Sequence, residues 1–246
     1  MFDILKKYIN ILVFLGLVYF YNPSSVVLAA PTTIGDGVLV YATTTKATLQ
    51  YRTYASSTNA FSDPASNAEN ATVTIHHTIL EGSPTSTEKI MAVLDDQGTT
   101  GNDTARLTVM RWSGSRWITD WTSTLATSTR RNADIAYYGN RGNAIVVYAT
   151  STAGLKGMAY RTWDGSTWSA TSTLVLAIPQ SGNQGGFPVW VETEGFAIAT
   201  SSQKVVIGYS DSTGRIGAAI WDGATSLWTA ATSTNIGLTT NSNATR

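Results

Sequence analysis

Three arginines and two tryptophans are the side chains of this 246-residue sequence best suited to hold a ligand: Arg111, Arg161, Arg215, Trp121 and Trp190. Arg111 directly precedes Trp112, Arg161 stands two places before Trp163, and Arg52 stands two places before Tyr54. An arginine so placed offers a rigid fork of N–H donors and a cation that stacks on an aromatic face. The fork suits the oxygens of a polar ligand, and the ring suits its apolar side. The same pairing serves packing equally well, because cation–π stacking needs no ligand. Trp121 and Trp190 fall outside the repeating aromatic positions, which frees them for binding.

The other reactive groups form no catalytic pattern. Glycoside hydrolysis needs two carboxylates at a fixed separation, and Asp95, Asp96, Asp134, Glu192 and Glu194 sit in no recognisable motif. Asp95, Asp96 and Asp103 have no calcium-loop spacing. The two histidines, His76 and His77, are neighbours on a strand-like stretch, so at most one faces any given pocket. There is no cysteine, which excludes disulfides and thiolate chemistry, and no Gly-x-Ser-x-Gly, phosphate loop or zinc spacing occurs. No catalytic residue, metal site or cofactor is expected. With 16 basic and 16 acidic side chains the net charge is zero, so no face for nucleic acid is indicated.

The elements that must position these residues repeat. The stretch AIVVYATSTAGLKGMAYRTWDGSTWSATST, beginning at Ala144, reads as an apolar strand, a turn, a strand ending in Trp163, a tight turn and a strand from Trp168. The layout returns from Lys204 as KVVIGYSDSTGRIGAAIWDGATSLWTAATST, and more loosely from Lys89 with the turn RWSGSRW. In the first unit Tyr54 and Phe61 stand where later units carry tryptophan. A supersecondary unit recurring at about 50–60 residues, with four short strands in each, predicts an all-β fold: a β-propeller of about four four-stranded blades. A piece of a larger propeller is the alternative. VLVY, IMAVL, AIVVY and VVIGY are near-continuous apolar runs, as strands buried on both faces require. The structural repeat positions are Trp112, Trp117, Trp163, Asp164, Gly165, Trp168, Trp221, Asp222, Gly223 and Trp228, with Asp-Gly as the turn dipeptide.

Residues 1–30 differ from the rest. Lys6 and Lys7 precede an apolar run from Tyr8 to Tyr21, followed by small residues including Val27, Leu28 and Ala29. That order predicts a secretory signal peptide, with an uncleaved membrane anchor as the alternative. The run of about 14 residues is short for a bilayer span of about 20. The repeats then occupy 31–246, with units near 36–67, 71–124, 133–174 and 187–234. Either reading of the N-terminus places the repeats outside the cytoplasm, secreted or at the cell surface.

The runs AIVVYATSTAGLKGMAYRTWDGSTW and KVVIGYSDSTGRIGAAIWDGATSLW resemble repeats of sialidase-type (BNR-like) and fungal fucose-lectin-type propellers, over about residues 36–234. The sialidase Asp-box, Ser-x-Asp-x-Gly-x-Thr-Trp, is not met by SDSTG at 210–214. In the fucose-lectin group a sugar pocket takes Arg, Glu and an aromatic from adjoining blades; Arg161 and Arg215 match the arginine, while no glutamate recurs beside them. The resemblance implies an exported, non-catalytic module recognising carbohydrate or a surface partner. A sialidase-like glycoside hydrolase and a structural or adhesion array are the alternatives. Expected partners are glycans or a cell-surface protein, and a membrane only through an uncleaved N-terminus.

Overall fold

The computed structural model describes residues 36–42, 48–62, 66–70, 74–96, 105–125, 132–139, 142–149, 157–175, 192–195, 203–210, 215–229 and 234–235. These residues form strands and turns only. The first sheet holds β1 (Gly37–Ala42), β2 (Thr48–Ala55), β3 (Ala60–Phe61) and β4 (Ser66–Asn70); the second holds β5 (Ile75–Gly82), β6 (Lys89–Asp95), β7 (Ala105–Trp112) and β8 (Trp117–Leu125). The third holds β9 (Ala133–Tyr138), β10 (Asn143–Ala149), β11 (Gly157–Trp163) and β12 (Ser172–Val175). The fourth holds β13 (Glu192–Gly195), β14 (Lys204–Ser210), β15 (Arg215–Asp222), β16 (Leu227–Thr229) and β17 (Thr234–Asn235). In the second and third sheets sequential strands are antiparallel neighbours, whereas β4 of the first sheet pairs with β2 and β17 of the fourth pairs with β15. This is blade connectivity, and it follows from short β-branched runs separated by turns too short for any crossover.

The chain divides into two compact units, residues 1–37 with 53–61, and residues 38–52 with 62–246. In the smaller unit the hairpin pairs Tyr54 with Phe61 and Ala55 with Ala60. The two rings lie 5.3 Å apart, and Tyr54 Oη donates to Asn59 Oδ1 at 2.6 Å.

In the larger unit the sheets stack face on face in chain order, and the alternation of side chains shows how. Along β9, Ile135 and Tyr137 join a core with the second sheet, while Ala136 and Tyr138 join a core with the fourth. Along β10, Ala144, Val146 and Tyr148 take the first side and Ile145 and Val147 the second. The same happens on β6, where Ile90, Ala92 and Leu94 face the third sheet and Met91 and Val93 face the first. Burial on both faces is why these strands carry no polar alternation. It also leaves little room for error: a one-residue slip would exchange the two cores.

At each hairpin after the third strand the flanking aromatics pair across the ladder: Trp112 with Trp117, Trp163 with Trp168, Trp221 with Trp228. Gly114 and Gly165 take φ of 95° and 94° in the second and third turns, a region that side chains disfavour. In the fourth turn Ser226 takes the left-handed conformation (φ 55°), as Asn59 does (φ 51°) in the first. Gly223 is needed for a different reason. Its N–H donates to Gln203 O at 2.7 Å, and a Cβ there would overlap the ring of buried Tyr138.

Replacing Gly223 with alanine must displace Tyr138 from its core. The expected cost is about 1–3 kcal/mol, the range for overpacking, read as a fall in thermal midpoint. Thr225→Ala, two residues on in the exposed turn, should stay within about 0.5 kcal/mol. Equal, small effects from both would show that the Tyr138 approach is not tight.

Candidate functional site

The richest assembly of polar and aromatic groups lies along the seam between the second and third sheets, and a β-bulge makes it. Val109 pairs with Trp121 and Met110 with Thr119, so Asp120 is the extra residue on β8. A bulge turns consecutive side chains toward the same face. Both Asp120 and Trp121 consequently reach toward the third sheet.

Asp120 Oδ2 accepts from Arg111 Nε at 3.1 Å and from Trp168 Nε1 at 2.8 Å, and its Oδ1 accepts from Arg111 Nη2 at 3.3 Å. Asp120 holds the Arg111 guanidinium firmly in its charged form, with pKa raised above its ordinary value. Arg111 Cζ sits 4.5 Å above the Trp163 ring. The Trp163 indole in turn donates to Glu88 Oε1 at 2.9 Å, an oxygen that also accepts from Tyr137 Oη at 3.1 Å. Burial first, and the Glu88 carboxylate second, push the Tyr137 phenol far above its usual range. A phenol held neutral in this way is a hydrogen-bond donor and a poor nucleophile. Arg111, Glu88 and Tyr137 therefore act together as a clasp on Trp163.

The second arginine has a different setting. Arg161 Cζ lies 4.7 Å over the Trp121 ring, and its Nε donates to Thr171 Oγ1 at 2.9 Å. Thr171 Oγ1 is also 3.4 Å from Tyr148 Oη. Among the described residues no carboxylate pairs with Arg161 and nothing accepts from its Nη groups. Trp121 is only 9% exposed and packs against Tyr148 at 5.6 Å and edge-on to Trp168 at 5.7 Å. It supports Arg161 from below. Trp168, half-buried, stands edge-on to Trp121, the ring that carries Arg161.

The structure thus brings together Arg111, Trp121 and Arg161 of the five candidate binding residues, on one seam. Arg215 lies on the fourth sheet, where its backbone pairs with Asn235. Trp190 lies outside the described residues. Of the repeat tryptophans, Trp163 and Trp168 belong to this seam, Trp112 and Trp117 face the first sheet with Tyr51 5.2 Å from Trp112, and Trp221 and Trp228 hold Tyr160 at 5.5 and 5.4 Å. Asp164 Oδ1 accepts from Ser166 N and Oγ, both at 2.8 Å, and from Thr167 N at 2.7 Å, while Oδ2 accepts from Thr167 Oγ1 at 3.0 Å. Asp222 Oδ1 accepts from Ala224 N at 3.0 Å in the matching turn.

Asp95 and Asp96 are engaged by neighbouring groups of the second sheet. Asp95 is fully buried and takes Arg106 Nε and Nη2 at 2.9 and 2.7 Å across the β6–β7 ladder. Asp96 Oδ1 accepts from Thr74 N at 3.1 Å. Among the described residues no three His, Cys, Asp or Glu side chains cluster in a way that could hold a metal. The residues that sequence reasoning passed over are Glu88, Asp120, Tyr137, Tyr148 and Thr171. Asp120 carried no signal: in WITDWTSTL Trp117, Trp121 and Leu125 keep the even spacing of a plain strand, and the bulge appears only in the pairing with β7.

No known family's sequence model matches the chain, and no curated protein matches it. Among solved structures the chain is similar to NanB sialidase of Streptococcus pneumoniae, at TM-score 0.46 and 16% identity over 77% of this chain and 28% of that one. It is also similar to the fucose-specific lectin of Aleuria aurantia (TM-score 0.44, 11% identity, 81% and 61%) and to the SapL1 lectin solved with alpha methyl fucoside (TM-score 0.46, 11% identity, 82% and 62%). The chain spans 28%, 61% and 62% of these three structures. Its stacked antiparallel sheets, three of four strands and one of five, give it the fold of a β-propeller-type repeat protein.

Two measurements test the site. Asp120→Ala removes the acceptor shared by Arg111 and Trp168 and should cost about 2–3 kcal/mol, whereas Asp120→Asn keeps an acceptor for the indole and should cost less. Equal losses for the two, by denaturant unfolding, would mean that the Trp168 bond contributes nothing. The Thr167 N–H first, then the Ser166 and remaining Thr167 donors, hold the Asp164 pKa far below its ordinary 3.8. A depressed folded-state pKa stabilises above the unfolded pKa of about 3.9, and that stability disappears as pH falls through the folded value. Carbon-13 NMR should accordingly find the Asp164 carboxyl still ionised at about pH 3; a midpoint near 3.9 would rule this out.

Proposed function

We propose that this chain is an exported carbohydrate-binding module, and that it holds its ligand at Arg161, Thr171 and Trp168 on the second–third seam. The observation that carries the reading is the contrast between the two seam arginines. Arg111 is neutralised by Asp120 and capped by Trp163. Arg161 is held flat on Trp121 with no carboxylate partner among the described residues, and its Nη donors stay available. A preorganised guanidinium fork beside a hydroxyl and an aromatic edge matches the neighbouring hydroxyls and apolar face of a sugar ring. The cost of ordering the arginine on binding is already met by the stack. The N-terminal segment supports export, since a basic, apolar, small-residue order is what a signal peptide requires.

A glycan array probed with the full chain tests this. The wild type should bind one or more glycans, and Arg161→Ala should weaken binding about tenfold or more, the scale of one charge-assisted hydrogen bond. Its thermal midpoint should change little, because the side chain is partly exposed. A blank array, or binding indifferent to Arg161 and Thr171, would exclude the site.

A further inference from the structure

The junction between the third and fourth sheets uses the same ladder positions as the one before it, without the polar groups. Glu88 stands two residues before Ile90, which pairs with Arg111; Asn143 stands two residues before Ile145, which pairs with Thr162. Asn143 and Thr162 therefore occupy the places of Glu88 and Arg111. The bulge recurs as well: Ser169 N donates to Thr162 O and Ser172 pairs with Tyr160, three steps against two. Thr171 precedes Ser172 as Asp120 precedes Trp121, but its hydroxyl is engaged by Arg161 Nε and Tyr148 Oη, on the side of the second sheet.

Two indoles bear the consequence. Trp163 Nε1 and Trp168 Nε1 donate to Glu88 and Asp120, whereas Trp221 Nε1 and Trp228 Nε1 are covered and have no hydrogen-bond partner. The Tyr138 oxygen lies toward the Trp221 indole without reaching hydrogen-bond geometry. Burial does not separate the two cases, since Trp163 is 1% and Trp221 3% exposed. Trp117 and Trp121 also hold covered, unpartnered N–H groups, but hydrogen bonds cross their seams, from Tyr51 Oη to Ser115 O and at Glu88 and Asp120. Among the described residues no hydrogen bond joins the third sheet to the fourth.

We infer that the third–fourth seam is the joint at which this stack opens: the fourth sheet parts from the third in a local fluctuation that hydrates the Trp221 and Trp228 indoles, while the second and third sheets stay clasped. A covered donor without an acceptor has given up its water and receives no bond in return. Closing this seam therefore carries a penalty that the Glu88 and Asp120 bonds remove from the seam before it. Opening restores water to both N–H groups, and the apolar core around Val205, Ile207 and Ala219 is what resists it. The backbone ladders need not break, because they run within each sheet. The open joint presents Tyr160, Trp221 and Trp228 together. The inference does not depend on the carbohydrate reading.

Deuterium exchange of the indole Nε1 protons, followed by NMR on the full chain, is the test. The Trp221 and Trp228 protons should exchange about tenfold or more faster than those of Trp163 and Trp168, the scale of one unsatisfied buried donor. Their exchange should also depend less on denaturant than global unfolding does. Asn143→Glu combined with Thr162→Arg transfers the Glu88 and Arg111 pair to this seam. It should slow the Trp221 proton by a similar factor and leave Trp163 as it was. If that double variant fails to fold, the converse variant Glu88→Ala decides, and it should speed the Trp163 proton. Equal rates for all four indoles would overturn the proposal. So would exchange of all four only through global unfolding, or rates at Trp221 and Trp163 that ignore these substitutions.

Discussion

Among the described residues, the stacking of the sheets depends on burying two large rings at the hairpin end of the second, third and fourth sheets. A Trp side chain hides roughly 150–250 Å² when packed, about 4–6 kcal/mol per ring as an upper bound. No single four-stranded sheet can bury its own ring pair, because both rings stand on one face at the hairpin end. The pair is satisfied only by the preceding sheet. Tyr51, Arg111 with Trp121, and Tyr160 are the groups that receive it, one set per junction. The repeat is therefore cooperative by construction: each unit completes the core of its neighbour.

Those three receiving groups differ, and the difference shapes the seam between the second and third sheets. A tyrosine can cover a tryptophan pair by edge contact alone. An arginine brings a charge into a half-buried seam, and a charge there must be paired or solvated. Asp120 supplies the pairing, and the bulge lets it do so from a strand that also sends Trp121 to the same face. The same carboxylate holds Trp168 by its indole nitrogen, while Glu88 holds Trp163. Arg111, Asp120, Glu88 and Tyr137 pair with one another and with the Trp163 and Trp168 indoles, while Arg161 has no carboxylate partner among the described residues. Two arginines that look equivalent along the chain thus end in different settings, one ion-paired to Asp120 and one stacked on Trp121.

The turns show a similar division. Asp164 collects its hydrogen bonds from residues two and three places on, so the turn is specified by local chemistry and tolerates being fully in water. Ser113 plays the corresponding part in the second sheet, donating through Oγ to Arg116 O at 2.8 Å. Gly223 answers instead to a distant ring, Tyr138, which reaches it only because the third and fourth sheets stack. The Asp and the Gly of one kind of hairpin thus recur along the chain for unrelated physical reasons.

How far the sequence went is clear from particular residues. The apolar runs, the ring spacing and the Asp-Gly turns determined strands, hairpins and the face-to-face stacking of the sheets, because each of those features is encoded within a few residues of itself. Tyr54 and Phe61 were recognisable as ring positions for the same reason. Arg111, Trp121 and Arg161 could be picked out as chemically capable, since residue type alone states that much. Their roles could not be assigned, because Arg111 and Arg161 acquire them from Asp120, Trp163, Trp121 and Thr171, which come from other strands or another sheet. Glu88 lies far along the chain from Trp163, and only the stacking of two sheets places its carboxylate on that indole. Local sequence determines which strands form; which charge is neutralised and which stays available is decided where two sheets meet.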